Sequence, residues 1–277
     1  MNSKVLNDLS QLCIHTITTK PWSIEKAGEN FSKEGIAGIT VWRDALDGKD
    51  IRKTGDMLRN SNLQIVSLCR GGFFPHTDPA ERARAIDDNK KAIDEAAALG
   101  APLIVLVCGA STGQSLEDSR KQIAEGIASV IPYAESANIK LAIEPLHPMY
   151  ADTRSAINTM AQANDMAEML NSPAVGVAID VYHLWWDPAL QMEIARCGKN
   201  KHIFAFHICD WKSPTTDLLL DRGLMGEGCI NIKQIRSWVE AAGFDGFHEV
   251  EIFSKKYWEE DQSIFLQKIK RAYLDHS

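Results

Sequence analysis

The sequence predicts an α/β protein folded as a closed (β/α)8 barrel, the TIM-barrel architecture, in one domain spanning residues 1–277. Three observations carry that prediction. Eight short apolar runs recur along the chain, segments of helical periodicity separate them, and the length of 277 residues suits the ~250 that eight strand–helix units need. Apolar residues at 45% and charged residues at 24% are the balance of a chain with a substantial core.

The runs are LCIHTI from Leu12, IAGITVW from Ile36, LQIVSLC from Leu63 and APLIVLVC from Ala101 in the first half. IKLAIE from Ile139, AVGVAID from Ala174, IFAFHIC from Ile203 and FHEVEIF from Phe247 follow in the second. Between them, Ile123, Ile127, Ile131 and Ala134 recur at helical spacing, as do Ile232, Ile235, Val239 and Ala242. Helix stops are visible at Gly100, before Ala101-Pro102, and at Gly243, after Glu240-Ala241-Ala242. Strands alternating with helices of this length imply parallel pairing through right-handed crossovers. A doubly wound open sheet is the rival, but it announces itself with a Gly-rich phosphate turn after the first strand. Here that strand runs into HTITTKPWS, without GxGxxG. No Pro/Ser-rich linker divides the chain.

Charge narrows the function classes. A formal charge of −7 is the wrong sign for a protein that draws its affinity from phosphate backbones, so no nucleic-acid partner is expected. No apolar stretch approaches the ~20 residues of a membrane span, and MNSKVLNDLSQLCIH lacks the apolar core and cleavage site of a secretory signal. A cytoplasmic protein with no membrane contact is the expectation. Cys13, Cys69, Cys108, Cys197, Cys209 and Cys229 form no CxxC pair, and four lie in apolar runs, which reads as reduced and structural.

In a parallel barrel the active site sits at the C-terminal ends of the strands. There the sequence places LAIE ending at Glu144, VAID at Asp180, FAFH at His207 and HEVE at Glu251. Neighbouring strands lie ~5 Å apart, so these four side chains converge. Like charges packed so closely are costly unless a cation neutralises them. Three carboxylates and one imidazole form a mostly hard ligand set for one divalent metal ion. Mn²⁺ or Mg²⁺ is favoured, and Co²⁺ or Zn²⁺ is compatible. Residues two apart on a strand share a face, so Glu249 also points inward. Glu251 is preferred as the last ligand because it lies nearer the rim.

LAIEPLHP, VAIDVYHLWWDP, FAFHICDW, GEG and GFDGFHEVEIF, in that order, resemble the sugar phosphate isomerase/epimerase superfamily of xylose isomerase-like TIM barrels over essentially the whole chain. The resemblance implies that Glu144, Asp180, His207 and Glu251 hold the metal and that His183, in the Asp-x-x-His step, faces the substrate. It also implies that Glu144 and Glu251 flank the sugar. One removes a proton beside a metal-held carbonyl to leave an enediolate, and the other returns a proton to the opposite face. A sugar or keto-sugar isomerase or epimerase is the leading expectation. A lyase or dehydratase acting on a keto-polyol or oxidised glycoside is the alternative, and a non-catalytic carbohydrate-binding barrel ranks lower. The endonuclease IV-like relatives draw extra histidines from earlier strand ends, but those ends here read VWRD, LCRGG and VCGA. They also carry Asp-x-His where this chain has Asp221-Arg222-Gly223. The chain departs from the ketose epimerases at His147, where Asn is usual, and at Tyr150, which puts free ketohexoses in doubt as substrates.

Further substrate contacts are expected from His147, stiffened between Pro145 and Pro148, and from Trp42, placed to stack on a sugar face. Trp185 and Trp186 are weaker candidates of the same kind. Arg70, before Gly71-Gly72, and Arg222, before the GEG turn, suit an anionic or polyhydroxylated group. Asp210 is expected either to orient His207 or bind a hydroxyl, or to cap the loop that follows. The long segment WKSPTTDLLLDRGLMGEG, with Leu218-Leu219-Leu220 and Met225, reads as a lid or a subunit contact, the latter allowing a homo-oligomer. His15 and the remaining histidines read as structural.

Overall fold

All eight apolar runs become strands of one closed parallel barrel. The structure, a computed structural model, describes residues 5–277, so the first four residues of the N-terminal stretch lie outside the described residues. The strand–helix units begin with β1 (Leu12–His15) and α1 (Ile24–Lys33), β2 (Gly38–Trp42) and α2 (Ile51–Asn60), and β3 (Gln64–Gly72) and α3 (Pro79–Leu99). They continue with β4 (Leu103–Val107) and α4 (Leu116–Ser136), then β5 (Lys140–Glu144) and α5 (Met160–Leu170). Strand β6 (Val175–Asp180) is followed by the single turn α6 (Val181–Leu184) and by α7 (Leu190–Lys199). After β7 (Ile203–Ile208), the short antiparallel pair β8 (Asp210–Trp211) and β9 (Arg222–Gly223) precedes α8 (Ile232–Ala241). Strand β10 (His248–Val250), α9 (Lys255–Glu259) and α10 (Gln262–His276) complete the chain.

Around the barrel the order is β1-β10-β7-β6-β5-β4-β3-β2. Strands β5, β6, β7 and β10, which carry the four ligand candidates, are therefore contiguous. Helix starts are capped as their sequences suggest. Ser23 accepts from the Lys26 amide and Asp78 from Ala80, with Pro79 in the first turn. Gly100 ends α3 in the left-handed region at φ +83°, returning its amide to Ala96. Of the two predicted apolar stripes, Ile123, Ile127, Ala134, Ile232, Ile235 and Val239 are buried, and Ile131 and Ala242 pack at the edge of the core. Five of the cysteines are buried and Cys229 is exposed, all as free thiols. No helix among the described residues is long and apolar enough to cross a membrane.

Strand alternation divides the core in two. Outward residues such as Ile14, Ile39, Leu106, Ile143, Ile179 and Phe206 pack against the helices. Inside the barrel a smaller apolar floor, Leu103, Val105, Ala142, Ala178 and Ala205, packs with Cys69 and the partly buried Trp42. Two residues further along the same faces come Val107, Glu144, Asp180 and His207. Alanines below and ligands above leave room at the mouth for polar side chains.

Candidate active site

Each ligand candidate stands where its strand gives way to a loop. Glu144, Asp180, His207 and Glu251 offer one donor atom each within 4.8 Å of one another, and all four are buried. Asp180 also begins α6, its Oδ1 accepting the Tyr182 amide at 2.7 Å, which leaves Oδ2 for the cluster. His207 Nδ1 lies 2.9 Å from Glu144 Oε1, whereas Nε2 is buried with no hydrogen-bond partner, 3.9 Å from Glu249 Oε2. Glu251 follows β10 and holds register through its amide on the Ile208 carbonyl.

Glu249 sits one layer deeper. Its Oε2 accepts from Thr40 Oγ1 at 2.5 Å and from Ser67 Oγ at 3.2 Å, and His15 Nε2 lies 3.2 Å away. Those contacts separate it from the four-residue set, to which Glu251 belongs. His15, read from sequence as structural, is at the centre of the site: its Nδ1 is 3.0 Å from Glu251 Oε1 and its ring meets His207 edge-on at 4.7 Å. The signal that finds it is the one that found the others, because LCIH ends its strand at His15.

The electrostatics show a deficit of positive charge. Four buried carboxylates, Glu144, Asp180, Glu249 and Glu251, meet one permanent cation, Arg222. Its Nη1 donates to Glu251 Oε2 at 2.8 Å and to Asp180 Oδ2 at 3.1 Å. Burial pulls His15 down, but Glu251 and Glu249 outweigh it and lift the imidazole to about 9. Burial opposes the charge on His207 too, and Glu144 and Glu249 raise it to about 9. Burial, with Glu251 and Glu144 nearby, pushes Asp180 up against the pull of Arg222. Glu251 is raised by burial but held well below the usual carboxylate range by Arg222 and His15, its closer cations. Protons on His15, His207 and Asp180 thus supply the positive charge that a divalent cation would supply in their place. The donor set, its spacing and the unpartnered His207 Nε2 fit such an ion.

The remaining candidates separate into three groups. Trp42 and His183 line the small cavity that Glu144 and Glu251 also face, along with Tyr150, Arg154, Leu219 and Arg222. Burial and Arg222 push His183 well below its ordinary value, so it is neutral. Arg222 Nη2 donates to its Nε2 at 3.1 Å, which puts the ring proton on Nδ1, a buried donor with no partner. Arg222, expected to meet substrate, lines this cavity and is also bonded to Asp180 and Glu251. Arg70 lies across Trp42 in a neighbouring groove of about 750 Å³, its guanidinium 4.1 Å from the Phe73 ring centroid. The glycines beside it are required: Gly72 has φ +107°, and a Cβ there would stand 2.0 Å from the Val107 carbonyl oxygen.

Two further candidates are engaged in contacts of their own loops. His147 does not reach the cavity: its Nδ1 accepts the Met149 amide and its ring stacks on Trp211 at 5.2 Å and meets Trp186 edge-on. Asp210 neither orients His207 nor has a free oxygen for substrate. It accepts the amides of Trp211 and Ile230 on Oδ1 and of Gly226 and Gly228 on Oδ2, so it caps the loop. This explains the GEG motif, since a Cβ on Gly228 would stand 2.5 Å from Asp210 Oδ1. The loop so anchored folds over the site. Tyr150 and Tyr182 hydroxyls both donate to the Leu218 carbonyl, at 2.7 and 2.8 Å, and the cavity left beneath measures about 20 Å³.

A family model described as xylose isomerase-like TIM barrel matches residues 29–269. Over 205 residues the chain is 25% identical to a protein of Halalkalibacterium halodurans named inosose isomerase, covering 73% of this chain and 71% of the relative. It is similar to the crystal structure of protein SMc04130 from Sinorhizobium meliloti 1021 at 46% identity and TM-score 0.93, covering 96% of this chain and 98% of that one. A solved structure of an IolI protein with a zinc atom aligns at TM-score 0.83 and 22% identity over 96% of this chain and 97% of its own, a likeness of fold.

Proposed function

The chain belongs to the xylose isomerase-like TIM-barrel family, and on that premise we propose that it is a divalent-metal-dependent isomerase or epimerase of a sugar or keto-sugar. Glu144 and Glu251 are the proton-transfer groups. Glu144, Asp180, His207 and Glu251 would hold the metal, Mn²⁺ or Mg²⁺ by donor hardness, with Co²⁺ or Zn²⁺ compatible. The zinc in the IolI structure and the inosose isomerase named among the relatives support this reading. The single observation that carries it is the four-donor cluster under a closed cavity.

When bound, the cation would polarise a carbonyl and make the neighbouring C–H more acidic. The residues do the rest. Glu251 stays ionised between Arg222 and His15, as a base needs to be. Glu144, on the far strand of the ligand set, is placed to return a proton from another direction, so the pair can invert a centre or shift a carbonyl. His183 Nδ1–H is free to donate to a substrate oxygen, and Trp42 supplies an aromatic wall. A cavity of about 20 Å³ holds about one water. A sugar therefore enters only when the segment around Leu218 and Leu219 lifts, and its return excludes water from the reaction.

The test is metal analysis of purified protein, followed by a keto-sugar panel assayed in D₂O. Bound or restorable divalent metal, with solvent deuterium appearing in a product of unchanged composition, is the expected result. Loss of water from the substrate, or no divalent metal retained after Mn²⁺ addition, sinks the proposal.

A further inference from the structure

Two arginines at the barrel mouth form no ion pair, although Asp88, bonded to Arg43, stands near enough to Arg70 to raise its pKa. Among the described residues, every other buried or half-buried arginine bonds to a carboxylate or a backbone carbonyl. Arg43 pairs with Asp88 and Glu95, Arg196 with Asp165 and Glu168, Arg222 with Asp180 and Glu251, and Arg236 with Glu240. Arg82 and Arg120 donate to carbonyl oxygens. The guanidinium groups of Arg70 and Arg154, both half-buried, make neither kind of bond. Each lies instead on an aromatic face, Arg70 at 4.1 Å from the Phe73 centroid and Arg154 at 5.7 Å from Tyr150. Acid is not scarce, with 37 Asp and Glu against 30 Lys and Arg in the chain.

Their surroundings make the missing partner informative. Arg154 lines the same cavity as Glu144, His183 and Glu251. Arg70 lines the groove on the other side of Trp42, the wall the two spaces share. Burial lowers the Arg70 pKa, and of the charges around it Arg154 lowers it most, so the two guanidiniums repel. A half-buried cation beside another, with a carboxylate on neither, is a cost that an incoming anion would remove.

We propose, resting on the keto-sugar reading above, that the substrate carries an anionic oxygen group, a carboxylate or a phosphate, received by Arg154 with Arg70 beside it. Such a group binds guanidinium through charge-assisted hydrogen bonds. It also fixes direction. The anionic end is drawn to the arginines and repelled by the four carboxylates, which turns the carbonyl end toward Glu144 and Glu251.

Three ketoses that differ only at one terminal carbon test the idea on Mn²⁺-loaded protein: D-fructose, D-fructuronate and D-fructose 6-phosphate. Calorimetric titration is expected to give at least one anionic ketose an advantage of about tenfold or more over fructose, and the better one identifies carboxylate or phosphate. Arg154→Gln should collapse that ratio to below about threefold, and Arg70→Gln should reduce it by less. Inorganic phosphate or sulfate should raise the melting temperature of the wild type more than chloride at equal ionic strength, and of Arg154→Gln no more than chloride does. Fructose binding as tightly as both anionic ketoses, no binding of either anionic ketose, or an advantage surviving both substitutions overturns the proposal. Deuterium exchange in the same samples separates the two readings. Exchange into fructose without anionic preference defeats this inference alone, while anionic preference without exchange into any ketose defeats the isomerase reading alone.

Discussion

Strands β5, β6, β7 and β10 end in three carboxylates and an imidazole, whereas β2, β3 and β4 end in Trp42, the Arg70-Gly71-Gly72 stretch and Val107. One half of the barrel mouth gathers negative charge and the other presents an aromatic ring, an aliphatic side chain and a cation without a carboxylate. β1 stands at the seam, with His15 Nε2 on Glu249 and its Nδ1 near both Glu251 Oε1 at 3.0 Å and Trp42 Nε1 at 3.2 Å. The division separates a carboxylate-rich arc, which on the proposed reading would hold the metal, from an arc of Trp42, Arg70 and Val107 that faces it. On the proposed reading a cation would offset the carboxylates' mutual repulsion in the first arc, and the second could vary its walls without disturbing that balance.

The most direct way to break the acidic arc is to remove one of its charges without changing shape. Glu144→Gln and Glu251→Gln should each lower turnover by about 10²–10⁴-fold, the usual value of a positioned acid or base. Thermal stability should fall far less, and single-turnover deuterium exchange is the measurement. Similar losses from Trp42→Phe would mean that the two arcs do not divide the labour as argued.

Strand β10 repeats the contrast across its own thickness: Glu249 faces inward to cations, and His248 faces outward, buried against Tyr273, whose hydroxyl is 2.9 Å from Nδ1. Burial and Arg236 lower the His248 pKa to about 4, despite Glu240 at 3.8 Å from Nε2. The sign follows from which state takes the proton first. Above about 6.5 the ring is neutral both folded and unfolded; as pH falls toward about 4 only the unfolded chain protonates, and stability is lost. The loss approaches about 3 kcal/mol at the acid end. His248→Phe should flatten that part of the stability curve in denaturant titrations between pH 7 and 4. Parallel curves for variant and wild type would show that the outer face does not titrate as described.

A smaller effect is expected at the seam. His15 orients Glu251 and joins it to Glu249, so His15→Gln should weaken Mn²⁺ binding by about 10–100-fold, the usual range for a residue that supports a ligand. Calorimetry on folded variant protein reads this directly, and unchanged affinity would reduce His15 to packing.

Which of these features could be read from the sequence depends on how far away their partners lie along the chain. Glu144, Asp180, His207 and Glu251 each stand at or near the end of an apolar run, and barrel closure alone brings such ends together, so their convergence was legible. His15 ends a run by the same rule. It was passed over because its partners Glu249 and Glu251 follow more than 230 residues later and meet it only through β1–β10 pairing. The choice between Glu249 and Glu251 turned on height in the barrel, which the end of β10 decides. For Asp210 the sequence left loop capping open beside two site roles, because the amides it caps belong to Gly226, Gly228 and Ile230, on a loop whose return path no local pattern specifies. Arg222 was singled out as an anion binder, and its bonds to Asp180 and Glu251 depend on a fold that brings β6, β9 and the end of β10 together. His147 read as a rim contact from its two prolines, while stacking on Trp211 is a product of the folded loop.

The smallest expected effect concerns the cover that joins the two arcs. Tyr150, after β5, and Tyr182, after β6, both donate to the Leu218 carbonyl, and Leu219 beside it lines the cavity. That carbonyl has two acceptor sites, so either hydroxyl alone keeps it satisfied. Tyr150→Phe or Tyr182→Phe should therefore cost only about 0.5–1.5 kcal/mol of cover closure, seen as a several-fold rise in amide exchange over residues 212–221. The barrel strands should keep their protection. The double variant leaves the carbonyl with neither donor and should open further than the two single effects combined, because only then does the acceptor lose both partners. Additive exchange rates would mean that the carbonyl finds water as readily as tyrosine, and that the cover is held instead by Asp221, which accepts from Lys212 Nζ and from the Thr216 amide and hydroxyl.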